Sequence, residues 1–474
     1  MDNKLTFLSR IILILFLSPA SFASLLNDHG KISPTQVSRV VSIKSEADIL
    51  AAIDQANKEH LPIAIMGKQY SQGGQSLAPQ AIELNMLPLH NVLSLDRPKK
   101  QVTVQSGITW ADLQYTINQD NLAIKSMQSP NIFTVGGSMS VNAHGDDFRS
   151  GAVGNSIVAF HLLLANGNKV LVTPETEPAL WTAVIGGYGL LGVVTDVTLQ
   201  LTDNSVLKGN YQELDVAKFP RYFHEKIINN KNIVLFYSHL NIVPGTDFLQ
   251  NMYVITYTDT HKLPDKIIAL DNPDQWNQLL TPLFNISRHG SLGKAWRWEL
   301  EKKLFSVFYN NRVITRNNAM EKPVRFASEH RGKDNVDWLQ EYFIPTDNLS
   351  PFMDKLRLIM RGNKVNLLNV TVRYVPAEAN SRLTYAKTNC FAVVLYFNQR
   401  LSVDELKRAQ SWTRDLIDAA LSVGGNYYLP YQSFASKKQF HAGYPGVGEF
   451  LKIKQQYDPS GLFNNKLYQH YFLD

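Results

Sequence analysis

The sequence predicts an α+β protein built from two units, and three observations predict it. Before residue 204, short apolar strands run repeatedly into glycine-rich loops or single helices. From residue 204 to about 420, longer alternating strands are interleaved with amphipathic helices, the pattern of an antiparallel sheet covered by helices. The composition is that of a large core. Of 474 residues, 44% are hydrophobic and 19% charged, which excludes a disordered chain, a collagen and a coiled coil.

Charge and cysteine content narrow the function classes. The formal net charge of +6 is mild for this length, and no dense Lys/Arg block of the kind that grips nucleic acid is present. The single cysteine, Cys390, excludes an intramolecular disulfide scaffold, a cysteine-rich zinc site and a cysteine-ligated iron–sulfur cluster. No histidines and carboxylates recur at metal-ligand spacing, so no metal is expected.

Residues 1–23 read as an export signal. Lys4 and Arg10 precede an apolar run, Ile11 to Leu17, and small residues stand at Ser21 and Ala23, as signal peptidase needs. The run is too short for a membrane-spanning helix, and no later stretch approaches that length. A soluble periplasmic or extracellular protein without an integral span is expected once the signal is removed.

The unit over 24–203 opens with a helix from Ser45 to about Glu59, capped at Ser45 and striped by Ile49, Ile53 and Ala56. Leu61–Met66 is a buried strand ending in Gly67-Lys68-Gln69-Tyr70-Ser71-Gln72-Gly73-Gly74-Gln75. Such a loop lets backbone N–H groups converge on a phosphate, yet its spacing fits neither a Walker loop nor a Rossmann fingerprint, and the motif alone favours an ordinary turn. Strands at 81–84 and 101–105 follow, then a helix over 110–117. Next come Ser129 to Gly145, which includes Thr134-Val135-Gly136-Gly137, Ser140 and His144, and the strand 157–164. Asn166-Gly167 turns that strand into 169–172. Gly186-Gly187-Tyr188-Gly189-Leu190-Leu191-Gly192-Val193-Val194-Thr195 completes the unit.

In order and spacing these motifs resemble the FAD-binding domain of the vanillyl-alcohol oxidase superfamily, the PCMH-type fold, over roughly residues 35–203. The chain is similar to cytokinin dehydrogenases and decaprenylphosphoryl-ribose oxidases, and more loosely to aldonolactone oxidases. The resemblance implies that Gly67–Gln75 and Gly136–Ser140 hold the FAD pyrophosphate, because glycines let the backbone approach a dianion closely. It implies cofactor contacts at Gly67, Lys68, Gln69, Tyr70, Ser71, Gln75, Ser129, Thr134, Gly136, Gly137, Ser140, His144, Gly145 and Asn464, and a backbone contact to the adenosine half at Val194. Many relatives link FAD covalently through a histidine at the position of Tyr70. A phenol does not make that linkage easily, so non-covalent FAD is expected.

Residues 204–420 match the family's substrate (cap) domain, with strands at 234–238, 252–257, 369–375 and 390–397. The stretch Trp338–Pro345 precedes a helix from about Asn348. Arg373 stands mid-strand, either as a rim salt bridge or as a group facing the flavin ring or a substrate oxygen. Some sugar-alcohol oxidases of the family carry a Glu two residues before such an Arg, where this chain has Thr371. Residues 421–474 resemble the return of the chain to the FAD domain. The Tyr428-Leu429-Pro430-Tyr431 piece there is closest to the cytokinin enzymes, which implies that Tyr428 lies near the flavin ring. The catalytic lysine of the ribose oxidases falls on Tyr431, and the catalytic Asp of the cytokinin enzymes falls on Ser129.

The chemistry expected is hydride transfer to FAD from a CH–OH or CH–NH group of a small organic substrate. Oxygen or a quinone would be the electron acceptor. A base for the departing proton is needed, and His144 is the first candidate, since an imidazole titrates near neutral pH. Tyr428, Tyr431 and Arg373 complete the candidate catalytic set. The other reading is a non-catalytic flavin- or ligand-binding envelope protein whose site has decayed, which the missing Asp and Lys favour and the intact glycine loops oppose.

Overall fold

The computed structural model of the protein describes residues 24–272, 275, 277–321 and 332–473, so the expected export signal lies outside the described residues. Ser24–Leu26 pairs antiparallel with Thr35–Val37. Arg39–Ser42, Ile82–Asn85 and Ile63–Met66 then form a three-stranded parallel sheet with Ile82–Asn85 in the middle. The helix Glu46–Glu59 is the crossover between Arg39–Ser42 and Ile63–Met66, and it starts where the sequence places it. Ser45 and Asp48 satisfy each other's backbone N–H groups in a capping box, and Ile49, Ala52, Ile53 and Ala56 are buried.

A six-stranded antiparallel sheet follows, centred on the long strand Val193–Asp203. That strand pairs with Ile157–Leu163 on one side and with Gln101–Gln105 on the other, and its last residues, Leu201–Asp203, pair with Leu122–Ile124. The hairpin predicted at Asn166-Gly167 joins Ile157–Leu163 to Lys169–Val172, with Gly167 at φ 81°. Helix Trp110–Asn118 is capped by Thr109, whose side chain accepts the Asp112 amide.

The second unit is an eight-stranded antiparallel sheet. Its spatial order is Val313–Thr315, Val206–Asp215, Asn251–Asp259, Ile233–Leu240, Asn366–Val375, Cys390–Arg400, Asn335–Pro345 and Asn426–Tyr427. Side chains alternate across it. Tyr342 and Phe397 point to one face, where they meet Phe352 of helix Leu349–Gly362 and Trp412 of helix Val403–Leu421. On the opposite face, Tyr253 stacks at 5.4 Å on Trp298 of helix Ser291–Tyr309 and Tyr396 packs on Phe284 of helix Asn277–Ile286, while Glu341 and Arg373 are turned to the first unit. Helices therefore also reach the face that carries the site.

The chain stays in the eight-stranded sheet through Tyr427, beyond the boundary expected at 420, because Asn426 and Tyr427 pair with Phe343 and Tyr342 as its edge. Only then does it cross back. Phe463 bridges to Ile63 in parallel, and the buried Lys454 ammonium donates to the carbonyls of Leu190 and Phe463 and to Asp458. Three acceptors inside the core hold helix Val447–Tyr457 against the glycine-rich turn at 186–192.

Candidate active site

A long cleft runs between the two units and encloses about 1850 Å³, counting the space open to solvent. Gly67, Lys68, Gln69, Tyr70, Ser71 and Gln75 line it from the first loop. The second loop contributes Ser129, Thr134, Gly136, Gly137, Ser140 and His144, and the turn at the far end contributes Val194. The local structure explains these positions. Gln69 takes a left-handed φ of 55°, which reverses the chain after the strand Ile63–Met66. Thr134 accepts the Gly137 amide at 3.2 Å and starts the short helix Val135–Ser140. A Cβ on Gly137 would meet Thr134 Oγ1 at 2.8 Å and, beyond its own helix, no other atom within 4 Å.

Two expected cofactor residues fall elsewhere. Gly145 is absent from the lining; a Cβ there would lie 1.9 Å from the Met127 carbonyl oxygen, so this glycine serves the packing of two backbone segments. Asn464 is also outside the lining, because its backbone is committed to the Ile63 carbonyl where the C-terminal segment joins the parallel sheet.

The cleft suits a dinucleotide by its unmet polar groups. Gln69 Nε2, Ser76 Oγ and Ser106 Oγ are buried on its wall and have no hydrogen-bond partner in the protein. Buried polar atoms are normally paired, so three of them on one wall define a surface built for a polar ligand. Gly67, Gln69, Gly136, Gly137 and Ser140 lie on this lining, where a bound dinucleotide could reach them.

At the end bounded by the eight-stranded sheet the wall is Leu339, Glu341, Arg373, Val394 and Tyr396, together with Tyr428 and Tyr431. Here the structure supplies a residue that motif reading missed. Glu341, with its side chain 4% exposed, accepts or shares a proton with His144 Nε2 at 2.7 Å. The register explains the placement, since Glu341 and Thr371 flank Val394 from opposite sides in one cross-sheet row. A carboxylate thus stands level with Thr371, two strands away, or about 10 Å across the sheet. A signal existed in the sequence: Glu341 is the one acidic residue within the otherwise uncharged run 338–345.

The other candidates divide clearly. His144 sits among the rings of Phe343, Tyr385 and Tyr428, and its Nδ1 is buried without a protein partner. Arg373 is a cleft residue rather than a rim residue. Its Nε lies 3.8 Å from the buried Asp146 carboxylate and makes no protein hydrogen bond. Tyr428 donates its hydroxyl to the Val141 carbonyl at 2.8 Å, which fixes the strand end against the His144 loop. Burial, with Glu341 nearby, pushes the phenols of Tyr428 and Tyr431 well above their ordinary range, so both are neutral donors at physiological pH. The adjacent Asp147 is ion-paired with Arg316 of the second unit, and this pins the His144 loop from behind.

A glycine-lined cleft thus meets a buried His–Glu couple at one end. A family model described as "FAD binding domain" matches residues 37–173, and one described as "D-arabinono-1,4-lactone oxidase" matches residues 298–471. The chain is 23% identical over 454 residues to the L-gulonolactone oxidase of Bos taurus, covering 93% of this chain and 95% of that protein. It is 24% identical over 456 residues to the decaprenylphosphoryl-beta-D-ribose oxidase of Mycolicibacterium smegmatis, covering 92% and 94%. A mitochondrial L-galactono-1,4-lactone dehydrogenase of Arabidopsis thaliana matches over 202 residues at 27% identity, covering 42% of this chain and 32% of that protein. The chain is an FAD-binding oxidoreductase, an enzyme similar to FAD-linked oxidases and dehydrogenases.

Proposed function

We propose that the enzyme oxidises a secondary alcohol carbon of a small sugar-derived substrate, a lactone or polyol, using non-covalently bound FAD. The observation that carries the reading is the Glu341–His144 couple at 2.7 Å on the cleft wall beside Arg373. Bound FAD supplies a hydride acceptor. The protein's part is to take the hydroxyl proton and to orient the carbon. Glu341 faces the cleft and accepts that proton, while His144 holds the carboxylate in place and shares its charge. Arg373 presents a fixed positive charge to the substrate oxygen or to the electron-rich end of the cofactor. The two uncharged phenols, Tyr428 and Tyr431, bound the space and leave the base as the one proton acceptor between them. The carboxylate that Thr371 denies to its own strand is available from the strand two positions over, and this supports a polyol or lactone over an amine. The names of the full-length relatives support the same substrate class.

A panel of aldono-1,4-lactones, alditols and simple amines, mixed anaerobically with the purified protein, tests this by bleaching of the flavin absorbance. Bleaching by a lactone or alditol is expected; bleaching by amines alone sinks the assignment. We also propose export to the periplasm or beyond, supported by the charged, apolar and small-residue order of residues 1–23. N-terminal sequencing of envelope protein should begin at Ser24, and full-length protein confined to the cytosol would refute it.

A further inference from the structure

The chain between Ser24–Leu26 and Thr35–Val37 folds onto the loop Gly67–Gln75 and is fixed there from three sides. Asp28 accepts the amides of Gly74 at 2.6 Å and Gly30 at 3.0 Å. The His29 amide donates to the Gln69 carbonyl at 3.1 Å. From the second unit, Trp338 Nε1 donates to the Gly30 carbonyl at 2.9 Å. A Cβ on Gly30 would lie 2.5 Å from the Gln72 carbonyl oxygen, so this segment rests backbone-to-backbone on the loop. The consequence is that His29, 4% exposed, enters the lining of the cleft. Its ring stacks on Tyr70 with centroids 5.0 Å apart and planes at 25°, and Tyr70 meets Phe133 edge-on at 5.1 Å. A row of three rings thus joins the N-terminal segment, the first cofactor loop and the segment leading into the second.

We propose that His29 is a cofactor-positioning residue whose stack on Tyr70 holds the Gly67–Gln75 loop closed over bound FAD and slows its release. The inference rests on the reading of this cleft as the FAD site. A dinucleotide held without a covalent bond leaves only if a wall of its cleft opens. Opening this wall carries Tyr70 away from His29 and breaks the backbone bonds of the loop to His29 and Asp28, while Gly30 stays tied to the second unit through Trp338. A stacked ring pair contributes roughly a two- to tenfold factor beyond its buried area. The Asp28 and Gly30 hydrogen bonds do not depend on the His29 side chain.

The test is FAD release from the holoprotein after large dilution, followed by the rise in free-flavin fluorescence, for wild type, His29→Ala and His29→Phe. His29→Ala should release FAD about two- to tenfold faster, and His29→Phe, which keeps a ring, should stay near wild type. The apoproteins of all three should melt alike. Equal rates for His29→Ala and wild type overturn the proposal. So does a His29→Phe that releases as fast as His29→Ala, or an apo His29→Ala that melts several degrees lower, since the ring would then support the fold and not the loop. Gly137→Val separates this proposal from its premise. If that variant purifies with full FAD, the cleft reading itself fails; if it loses FAD while His29→Ala is silent, only the role of His29 fails.

Discussion

Glu341 and His144 carry the chemical argument because each explains the other's burial. A carboxylate and an imidazole, both about 4% exposed, are tolerable in a protein interior only as partners. Replacing either should therefore leave the glycine loops and the bound flavin in place and act on the proton step. Glu341→Gln and His144→Ala are each expected to slow anaerobic flavin reduction by about 10²–10⁴-fold, measured by stopped flow with the best substrate of the panel. Loss of FAD from either variant, or a change under tenfold, would return the pair to a structural role.

Among the elements, the small parallel sheet carries an unusual load. Glu83 lies on its central strand with 0% exposure, and one oxygen accepts the Ala78 amide while the other has no protein partner. Burial raises its carboxyl to about 8. Burial likewise raises Glu378 to about 7 and Asp28 to about 6. All three bind protons more tightly folded than unfolded, so the stability they lend is complete at low pH and is lost as pH rises through the folded values. For Glu83 that window runs from about 4.5 to about 8, with a slope approaching 1.4 kcal/mol per pH unit. Melting temperature should decline between pH 5 and pH 8, and Glu83→Gln should flatten part of that decline and exceed wild type above pH 8. A Glu83→Gln curve that runs parallel to wild type across this range would contradict the buried-acid account. The C-terminal return is an element of similar consequence. Gln75 Nε2 donates to the carbonyls of Leu429 and Tyr431, so the first cofactor loop and the tyrosine wall of the substrate end are set by one side chain.

At the scale of the whole molecule, the two units face each other across the cleft and neither completes the site. The first unit offers the glycine loops, Gln69, Ser76, Ser106 and His144; the second offers Glu341 and Arg373, and the returning chain offers Tyr428 and Tyr431. Non-covalent FAD is the expectation, because Tyr70 stands where the resemblance places a linking histidine. Acid precipitation of purified protein should release all yellow colour into the supernatant, and flavin in the washed pellet would show a covalent link. Among the described residues no helix is long and apolar enough to cross a membrane.

The FAD domain was legible in the sequence because its signals are local. A strand ending in glycines, a Thr cap three residues before Gly137 and a two-residue hairpin each fix backbone geometry over a few residues. The candidates His144, Arg373, Tyr428 and Tyr431 were readable for the same reason, each as a polar residue in a recognisable piece. Their partnerships were not. Glu341 is 197 residues from His144, and the two meet because strand register places Glu341 level with Thr371 across Val394. Gly145 and Asn464 left the expected site through equally distant contacts, with Met127 and Ile63, and His29 entered it through Gln69 and Trp338. Sequence spacing determines local conformation through sterics and hydrogen bonds a few residues apart. Which side chains share a buried cavity is decided by sheet order and register, and those are properties of the folded chain alone.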